Sequence, residues 1–252
     1  MSALDDSRDR SVRSMFDRIA GRYDLLNRLI SFRLDAYWRN QAIRVAVTGA
    51  NPHILDLGTG TGDLALNAAR QTRGNGKFIG LDFSLPMLRL ARAKRAKALY
   101  GGSTAFVMGS AMSSPFKSAL FDSAMTAFVL RNVSDLPLLF TESLRVLKPG
   151  GTFVSIDMFP PAASWFARLY SIYFYRLMPR IGGFLSNDQK AYRYLSDSVR
   201  QFHSPEQVSR ILQAAGFRQV RLQKYFGGAV CMHVAIKPHA AFLSTANARL
   251  FE

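Results

Sequence analysis

The chain has 252 residues, 48% of them apolar, and this length and composition suit one globular α/β domain with additions. Its formal net charge of +16 at pH 7 indicates an anionic partner, such as a membrane surface, a nucleic acid or an acidic protein. The single cysteine, Cys231, excludes an internal disulfide and suits a reducing compartment. The four histidines are scattered without metal-ligand spacing, so we expect no metal.

The sequence also lacks the usual signals for secretion or membrane insertion. Its first residues are polar and acidic, unlike a secretory signal peptide. No run reaches the roughly 20 apolar residues that are needed to cross a bilayer. We therefore expect a soluble cytoplasmic protein.

Helix and strand signals alternate along most of the chain. Residues 8–20 and 33–47 are predicted helices, separated by a turn at 21–24 and an apolar connector. Predicted strands then fall near 53–57, 77–82, 104–108, 121–128 and 151–157, with helices near 63–73, 84–99 and 135–147. Ser84 is a predicted helix cap, and Lys148–Gly151 is predicted to stop the last of these helices abruptly. A helix from Ser204 and two strands near 218–224 and 229–237 follow.

This alternation predicts an α/β fold with a doubly wound, Rossmann-like sheet of seven mostly parallel strands. In such sheets the ligand lies beyond the carboxyl ends of the strands. We expect a single domain over residues 1–252. Its predicted parts are an N-terminal helical cap (1–48), a cofactor-binding core (49–158), a helical lid insertion (159–203), a C-terminal helix with strands (204–238) and a tail (239–252).

The predicted lid interrupts the alternation with a segment rich in aromatic residues at 165–178, bounded by prolines. A helix that is apolar nearly all round is usually buried on several sides, and two arginines make this one a poor membrane span. It is either additional core or the wall of a site for an apolar substrate. We favour the wall, because insertions above this edge of the sheet cover the ligand site.

The stretch Ile54–Asp63 is the most informative in the sequence. Apolar strand residues run into Gly58, Gly60 and Gly62, and an alanine- and leucine-rich helix follows. Glycine lets the backbone approach a ligand where a Cβ would clash, so this pattern predicts a nucleotide cradle. Asp63 places a negative charge where the pyrophosphate of a dinucleotide would lie. This favours S-adenosylmethionine, whose sulfonium and ammonium groups tolerate nearby carboxylates; the alternative is that Asp63 only caps the helix.

A second acid supports the same cofactor. The predicted strand Lys77–Asp82 ends in a carboxylate roughly 20 residues after the glycines, where an acid can bind both ribose hydroxyls.

The helix that follows has a dense basic run, which we interpret as its solvated face. The run consists of Arg89, Arg92, Lys94, Arg95 and Lys97.

Further motifs carry a family resemblance over about residues 12–238. They are Met15–Ala20, Tyr23–Asn27, Ser31, Trp38-Arg39, Asp56–Asp63, Gly80–Ser84, Pro86–Leu88, Phe128–Val133, Arg145–Gly151, Ala191–Leu195, Ser198-Val199, Gly227-Gly228 and His233. The chain resembles the class I S-adenosylmethionine-dependent methyltransferases. Within them it resembles the ubiquinone/menaquinone biosynthesis C-methyltransferases (UbiE/MenG).

The resemblance implies a set of cofactor contacts. Thr61, Asp82 and the pair Ser110-Ala111 correspond to contacts at the glycine loop, the ribose and the adenine end, while Asp56 and Gly58 support the methionine end. The predicted cofactor-binding residues are Asp56, Gly58, Gly60, Thr61, Asp82, Ser110, Ala111 and Ala127.

Three positions depart from the family pattern. Ser110 stands where the family usually has Asp or Asn, a longer group for holding the adenine amino group. Val129 replaces a glycine and narrows the floor beside the reactive methyl. Asp157-Met158-Phe159 stands where the family has Glu-x-Ser. These departures concern the acceptor more than the cofactor.

The chemistry of such a reaction indicates two catalytic candidates. A sulfonium methyl is already activated, so the nucleophilic carbon must be held in line within ~3–3.5 Å of it. A hydroquinone ring carbon becomes nucleophilic as a ring hydroxyl ionises. We predict that Arg131 holds the phenolate and that Asp157 accepts the proton. The alternatives are a structural hydrogen bond for Arg131 and a cap or cofactor-shell role for Asp157; Tyr23 and His233 fit packing better than catalysis.

The function that the resemblance implies is C-methylation of a polyprenylated quinol in menaquinone biosynthesis (demethylmenaquinol to menaquinol), ubiquinone biosynthesis, or both. The alternatives are methylation of another small phenol and a non-catalytic, cofactor-binding scaffold of a quinone-synthesis complex. We expect no nucleic acid, because Phe128–Arg131 stands where base methyltransferases commonly have Asn/Asp-Pro-Pro-Tyr/Phe. We expect peripheral contact with an anionic membrane at its inner, cytoplasmic face, and a homodimer is compatible with the resemblance.

Overall fold

The computed structural model describes residues 3–31, 33–160 and 189–239, and the elements of these residues are numbered in chain order. The N-terminal helices are α1 (Ala3–Ile19), α2 (Tyr23–Ile30) and α3 (Leu34–Ala46). The central part contains β1 (His53–Leu57), α4 (Asp63–Gln71), β2 (Lys77–Asp82), α5 (Leu85–Lys97), β3 (Thr104–Met108), β4 (Phe121–Ala127), α6 (Leu136–Val146) and β5 (Leu147–Met158). The C-terminal part contains α7 (Gln189–Arg200), α8 (Pro205–Ala214), β6 (Arg218–Tyr225) and β7 (Val230–Ile236).

The strands form one seven-stranded sheet in the order β3-β2-β1-β4-β5-β7-β6. Strands β1 to β5 are parallel, and β7 runs antiparallel to both β5 and β6. One apolar cluster packs α3, α4 and α5 on one face, and a second packs α6 and α8 on the other. The predicted α/β fold is therefore confirmed. Because the strand order reverses between β1 and β4, a crevice is expected at their carboxyl ends.

Local capping chemistry sets several helix starts. The hydroxyl of Ser84 accepts a hydrogen bond from the backbone N–H of Met87 at the start of α5, as the sequence predicts. Asp135 accepts one from the N–H of Leu138 at the start of α6. Ser204 begins α8 with a reciprocal capping box. Such caps satisfy N–H groups that would otherwise have no partner in the first turn.

Two sequence predictions of secondary structure are wrong. The predicted connector after residue 24 is helix α2, because the apolar residues at 25, 26, 29 and 30 repeat at helical spacing. Helix α6 does end just ahead of Lys148–Gly151, at Val146, as predicted, but β5 begins at Leu147 and includes this stretch, whereas the strand was predicted to begin near residue 151. Phe121 of β4 pairs with Leu147 whereas Ser123 pairs with Thr152, so the glycine-containing stretch forms a bulge in the strand.

The predicted lid lies largely outside the described residues, which resume at α7. Phe159, just after β5, is fully buried beside Phe202 and His233. Within the part of the chain that the structure describes, no helix is long and apolar enough to span a membrane.

Candidate functional site

A cavity of about 350 Å³ lies at the carboxyl ends of the strands, where the strand order reverses. The core contributes Gly58, Asp82, Ser110, Ala111 and Val129 to its wall, and α1 covers it from the other side. Four of the predicted cofactor residues therefore lie around one space. Its volume falls in the range of small-molecule sites, about 300–1,000 Å³.

A smaller cavity of about 50 Å³ shares Gly58, Asp82 and Val129 with the larger one. Gly60 and Tyr23 also line it. The sequence places Tyr23 among packing residues, whereas the structure puts its ring at the glycine loop. The two cavities together extend from the glycine loop to the end of β3.

The glycines of the loop serve different purposes. Gly60 has φ +55°, and a Cβ built there would have only the Tyr23 ring within 4 Å, at 3.9 Å, so this side of the loop is open to a ligand. At Gly58, with φ +68°, a Cβ would lie 2.6 Å from a methyl group of Val129. Gly58 thus allows close packing, and Gly60 leaves room at the cavity.

Asp82 is held rigidly at the end of β2. One carboxylate oxygen accepts a hydrogen bond from the N–H of Gly60 at 2.8 Å, and the other accepts one from the N–H of Ser84 at 2.8 Å. Burial raises the pKa of Asp82, and these two hydrogen bonds oppose the shift. The acid also lines both cavities, so it can bind a ribose without reorganisation.

Asp56 lies beneath the loop and organises it. The hydroxyl of Thr59 donates to its Oδ2 at 2.6 Å, and the N–H of Ala65 donates to the same oxygen at 3.2 Å. Burial raises the pKa of Asp56 to about 7, although the Thr59 hydrogen bond and the charge of Arg39 oppose this. Asp56 therefore fixes the shape of the loop, and its support of the methionine end stays a prediction.

Thr61 and Asp63 are engaged by neighbouring helices. The Thr61 hydroxyl donates to Asp24 of α2 at 2.6 Å, and the Lys94 ammonium of α5 donates to Asp63 at 2.6 Å. Gly62 is the residue before α4, and no side chain caps that helix. The alternative that Asp63 caps the helix is therefore wrong, and the negative charge of Asp63 is paired with Lys94. Lys94 likewise belongs to an ion-pair network and not simply to a solvated face.

The remaining predicted cofactor residues, Ser110, Ala111 and Ala127, lie at or just after the ends of β3 and β4. The hydroxyl of Ser110 accepts a hydrogen bond from the N–H of Met112 at 3.2 Å, in a turn after β3, so it points partly back to the backbone. Ala111 lines the larger cavity beside it. Ala127 is buried at the end of β4, in the apolar cluster that also contains Phe128.

Arg131 and Asp157 bind each other. An Nη1–Oδ1 distance of 2.5 Å joins them, and their side chains are 7% and 0% exposed. Burial raises the pKa of Asp157, and the guanidinium opposes the shift. The Nε of Arg131 and the Oδ2 of Asp157 have no hydrogen-bond partner among the described residues. The sequence identifies both residues but treats them separately.

A third cavity, of about 370 Å³, lies beside the turn that contains Arg131. Arg131 lines it together with Tyr194 and Asp197 of α7. Asn132 lines both the larger and the smaller cavity described above, and its side-chain oxygen accepts a hydrogen bond from the Tyr194 hydroxyl at 3.1 Å. This bond therefore joins a residue of the first two cavities to a residue of the third. Sequence analysis did not select Asn132 or Tyr194, although both lie in its motifs.

His233 has a structural role. Its ring is fully buried in β7, and its Nε2 donates to the carbonyl oxygen of Pro205 at 2.9 Å, at the start of α8. Cys231 is also buried, and desolvation raises the pKa of its thiol to about 12, which makes it a poor nucleophile. The buried position of His233 agrees with the prediction from the sequence that this residue has a packing role.

These features form a small-molecule site at the switch point of the sheet. The open side of Gly60 and the fixed carboxylate of Asp82 lie beside a cavity of suitable size. A seven-stranded sheet with an antiparallel β7 and a glycine loop after β1 defines the chain as a class I methyltransferase by fold. Solved structures agree. A methyltransferase from Thermotoga maritima, described as a possible histamine N-methyltransferase, aligns with a TM-score of 0.63 over 90% of this chain and 99% of its own, at 20% identity.

Sequence comparison identifies the family. The profile of the ubiE/COQ5 methyltransferase family matches residues 3–237, and the chain belongs to that family. A demethylmenaquinone methyltransferase of Thermus thermophilus is 42% identical over 224 residues, which are 89% of this chain and 100% of the relative. A ubiquinone/menaquinone biosynthesis C-methyltransferase UbiE of Geobacter sulfurreducens is 43% identical over 207 residues, or 82% and 80% of the two chains. The resemblance found in the motifs is therefore confirmed.

Proposed function

We propose that this protein transfers the methyl group of S-adenosylmethionine to a ring carbon of a polyprenylated quinol, in menaquinone biosynthesis, ubiquinone biosynthesis or both. Its family and its relatives' names support this reaction. The observation that carries the proposal is the buried guanidinium of Arg131, next in sequence to Asn132 of the cofactor cavity. A phenolic acceptor needs such a fixed cation near its developing oxyanion.

The cofactor would be held by the residues around the two connected cavities. Asp82 would accept hydrogen bonds from the ribose, the loop at Gly58 and Gly60 would face the methionine end, and Ser110 and Ala111 would border the adenine. Asp56 and Thr61 would act through the shape of the loop. When bound, the cofactor supplies an electrophilic methyl group that needs no further activation.

Asp157 would then accept a proton from the quinol, and Arg131 would stabilise the anion that forms. The pair is neutral overall, so a neutral quinol can approach without adding net charge to a buried site. As a ring hydroxyl ionises, its proton passes to Asp157, whose burial raises its pKa, and Arg131 pairs with the phenolate. The ring carbon would take the methyl group and leave S-adenosylhomocysteine. The hydrogen on that carbon would then leave as a proton to restore the aromatic ring, and Asp157 would return its proton to the ring oxygen. One proton is released in total.

The test is methyl transfer to short-tailed acceptors kept reduced, one a demethylated naphthoquinol and one the corresponding benzoquinol. Mass analysis should show one added methyl on a ring carbon of at least one of them. Transfer only to simple phenols would support the alternative acceptor. Cofactor binding without transfer to any acceptor would support the scaffold and contradict our proposal.

We further propose reversible association with anionic membranes, because a polyprenyl tail keeps the acceptor in the bilayer. The net charge of +16 supports this, since each Lys or Arg near an anionic surface contributes about 1 kcal/mol. The attraction is screened over ~8 Å at physiological salt. Flotation with anionic vesicles should show binding that high salt removes, and neutral vesicles serve as the control. No binding at low salt would contradict the proposal.

Sedimentation of the purified protein tests the homodimer.

A further inference from the structure

The N-terminal arm, defined as residues 3–30 in α1 and α2, covers the cofactor cavities. Val12 and Arg13 of α1 line the larger cavity, and Phe16 and Tyr23 line the smaller one. A molecule in these cavities would therefore lie between the arm and the sheet. Its entry and exit require the arm to move, as with other segments that close over active sites.

Three acids attach the arm to the carboxyl edge of the sheet. Each accepts a hydrogen bond from a hydroxyl in a different loop, after β4, β2 and β1 respectively. The pairs are Asp9 with Ser134 at 3.1 Å, Asp17 with Ser84 at 2.5 Å and Asp24 with Thr61 at 2.6 Å. The last pair connects the arm directly to the glycine loop.

Lys94 strengthens that last connection from a third element, α5. Its ammonium lies 2.5 Å from Asp24 Oδ2, 2.6 Å from Asp63 Oδ1 and 2.8 Å from the Thr61 hydroxyl oxygen. The three charged side chains are 25–29% exposed, so water screens them only in part. One cation thus joins a carboxylate of the arm to a carboxylate at the start of α4.

We propose that Lys94 is a positioning residue that keeps the N-terminal arm closed over the cofactor. Without its ammonium, Asp24 and Asp63 would be like charges facing the same small space, and their repulsion would push the arm away from the glycine loop. Lys94 acts through Asp24 and Thr61 and sets how fast the cofactor exchanges. This rests on the proposed function for the identity of the cofactor.

The test compares Lys94→Met with Lys97→Met, which removes the same charge from an exposed position on the same helix. Hydrogen exchange of residues 3–30, without ligand, should become faster in Lys94→Met only. The dissociation rate of S-adenosylhomocysteine, measured by stopped flow, should rise about three- to tenfold in the same variant. Lys94→Arg, which keeps the cation, should restore most of both properties.

A double-mutant cycle identifies the path of the effect. Asp24→Asn should also speed dissociation, and adding Lys94→Met should change it by less than the two single effects combined, because both act on one contact. High salt should speed dissociation from the wild type, because it screens the ion pairs of Lys94, and should slow dissociation from Lys94→Met, because it screens the repulsion between Asp24 and Asp63.

Unchanged exchange of the arm in a folded Lys94→Met protein would overturn the proposal, as would equal effects of Lys94→Met and Lys97→Met. A faster-exchanging arm with an unchanged dissociation rate would also overturn it. If the wild type does not bind S-adenosylhomocysteine, the proposed cofactor is wrong, and hydrogen exchange still tests the attachment of the arm by itself.

Discussion

At the carboxyl edge of the sheet, the side that we propose for the cofactor (the cofactor side) and the side that we propose for the acceptor (the acceptor side) satisfy their buried polar groups in different ways. After β1 and β2, both carboxylate oxygens of Asp82 accept backbone hydrogen bonds, and Asp56 is bonded within its own loop. After β4 and β5, Arg131 and Asp157 pair with each other, and one atom of each has no partner among the described residues. The buried carboxylates after β1 and β2 thus have partners within the protein, whereas two buried polar atoms after β4 and β5 have none among the described residues, and the proposed acceptor would use this hydrogen-bonding capacity.

Removing one member of the acceptor-side pair should have the largest effect. Arg131→Ala should lower turnover at saturating cofactor by about 10²–10³, because the phenolate loses its cation. It should also lower the free energy of unfolding by about 3–5 kcal/mol, since Asp157 is left buried and unpaired. Calorimetry should show nearly unchanged cofactor affinity.

The double variant Arg131→Met/Asp157→Leu separates these two effects. It should recover most of the free energy of unfolding, because neither charge remains buried, and it should still be inactive. Denaturant unfolding and the methyl-transfer assay together measure this. Wild-type turnover in the double variant would show that the pair is purely structural.

On the cofactor side, Asp82→Ala should weaken S-adenosylhomocysteine binding by about ten- to hundredfold. A hydrogen bond to a charged group is worth about 1.5–3 kcal/mol, and the ribose would lose its acceptor. Asp122→Ala is the matched control, because Asp122 also accepts a backbone N–H, that of His53, but at the opposite end of the sheet. Equal affinities for the Asp82 variant and the wild type, by calorimetry, would remove Asp82 from the site.

The glycine loop permits a smaller, paired test. Gly60→Ala and Gly49→Ala both place a Cβ at positive φ, +55° and +76°, which costs about 1–2 kcal/mol of stability in each case. Only the Cβ at Gly60 would enter a cavity of the site. Cofactor affinity should fall, by about tenfold, in Gly60→Ala alone. Equal losses of affinity would mean that backbone strain, and not occupancy of the cradle, explains the effect.

The smallest effect concerns pH and His233, which packs against Phe159 after β5. Burial lowers its pKa below the ordinary 6.5, although the Pro205 carbonyl and the charge of Glu206 oppose this. The unfolded chain then binds a proton that the folded chain does not. The contribution of His233 to the free energy of unfolding should therefore be complete above about pH 6.5 and decrease as the pH falls below it. His233→Gln should flatten this decrease, and an identical pH profile would contradict the assignment.

Sequence alone was sufficient where the chemistry is local. The glycine loop after β1, the acid that ends β2 and the cap at Ser84 each lie in a short sequence pattern that marks the end of a strand or the start of a helix. The alternation of strands and helices likewise predicts the parallel core, because each crossover connection must pack on the sheet. Helix α2 was missed because its short apolar repeat is also compatible with a connector.

Tertiary structure alone decided the partners of the charged groups. Arg131 and Asp157 lie 26 residues apart and follow different strands, so only the alignment of β4 beside β5 brings them together. Lys94 belongs to a basic run that suggests a solvated face, yet packing of α5 beside the glycine loop and α2 gives it two carboxylates. The physical reason is the same in both cases. A residue's type and its sequence neighbours determine which backbone it favours, but the partner of a buried or half-buried charge depends on which segments the fold brings within a few ångströms.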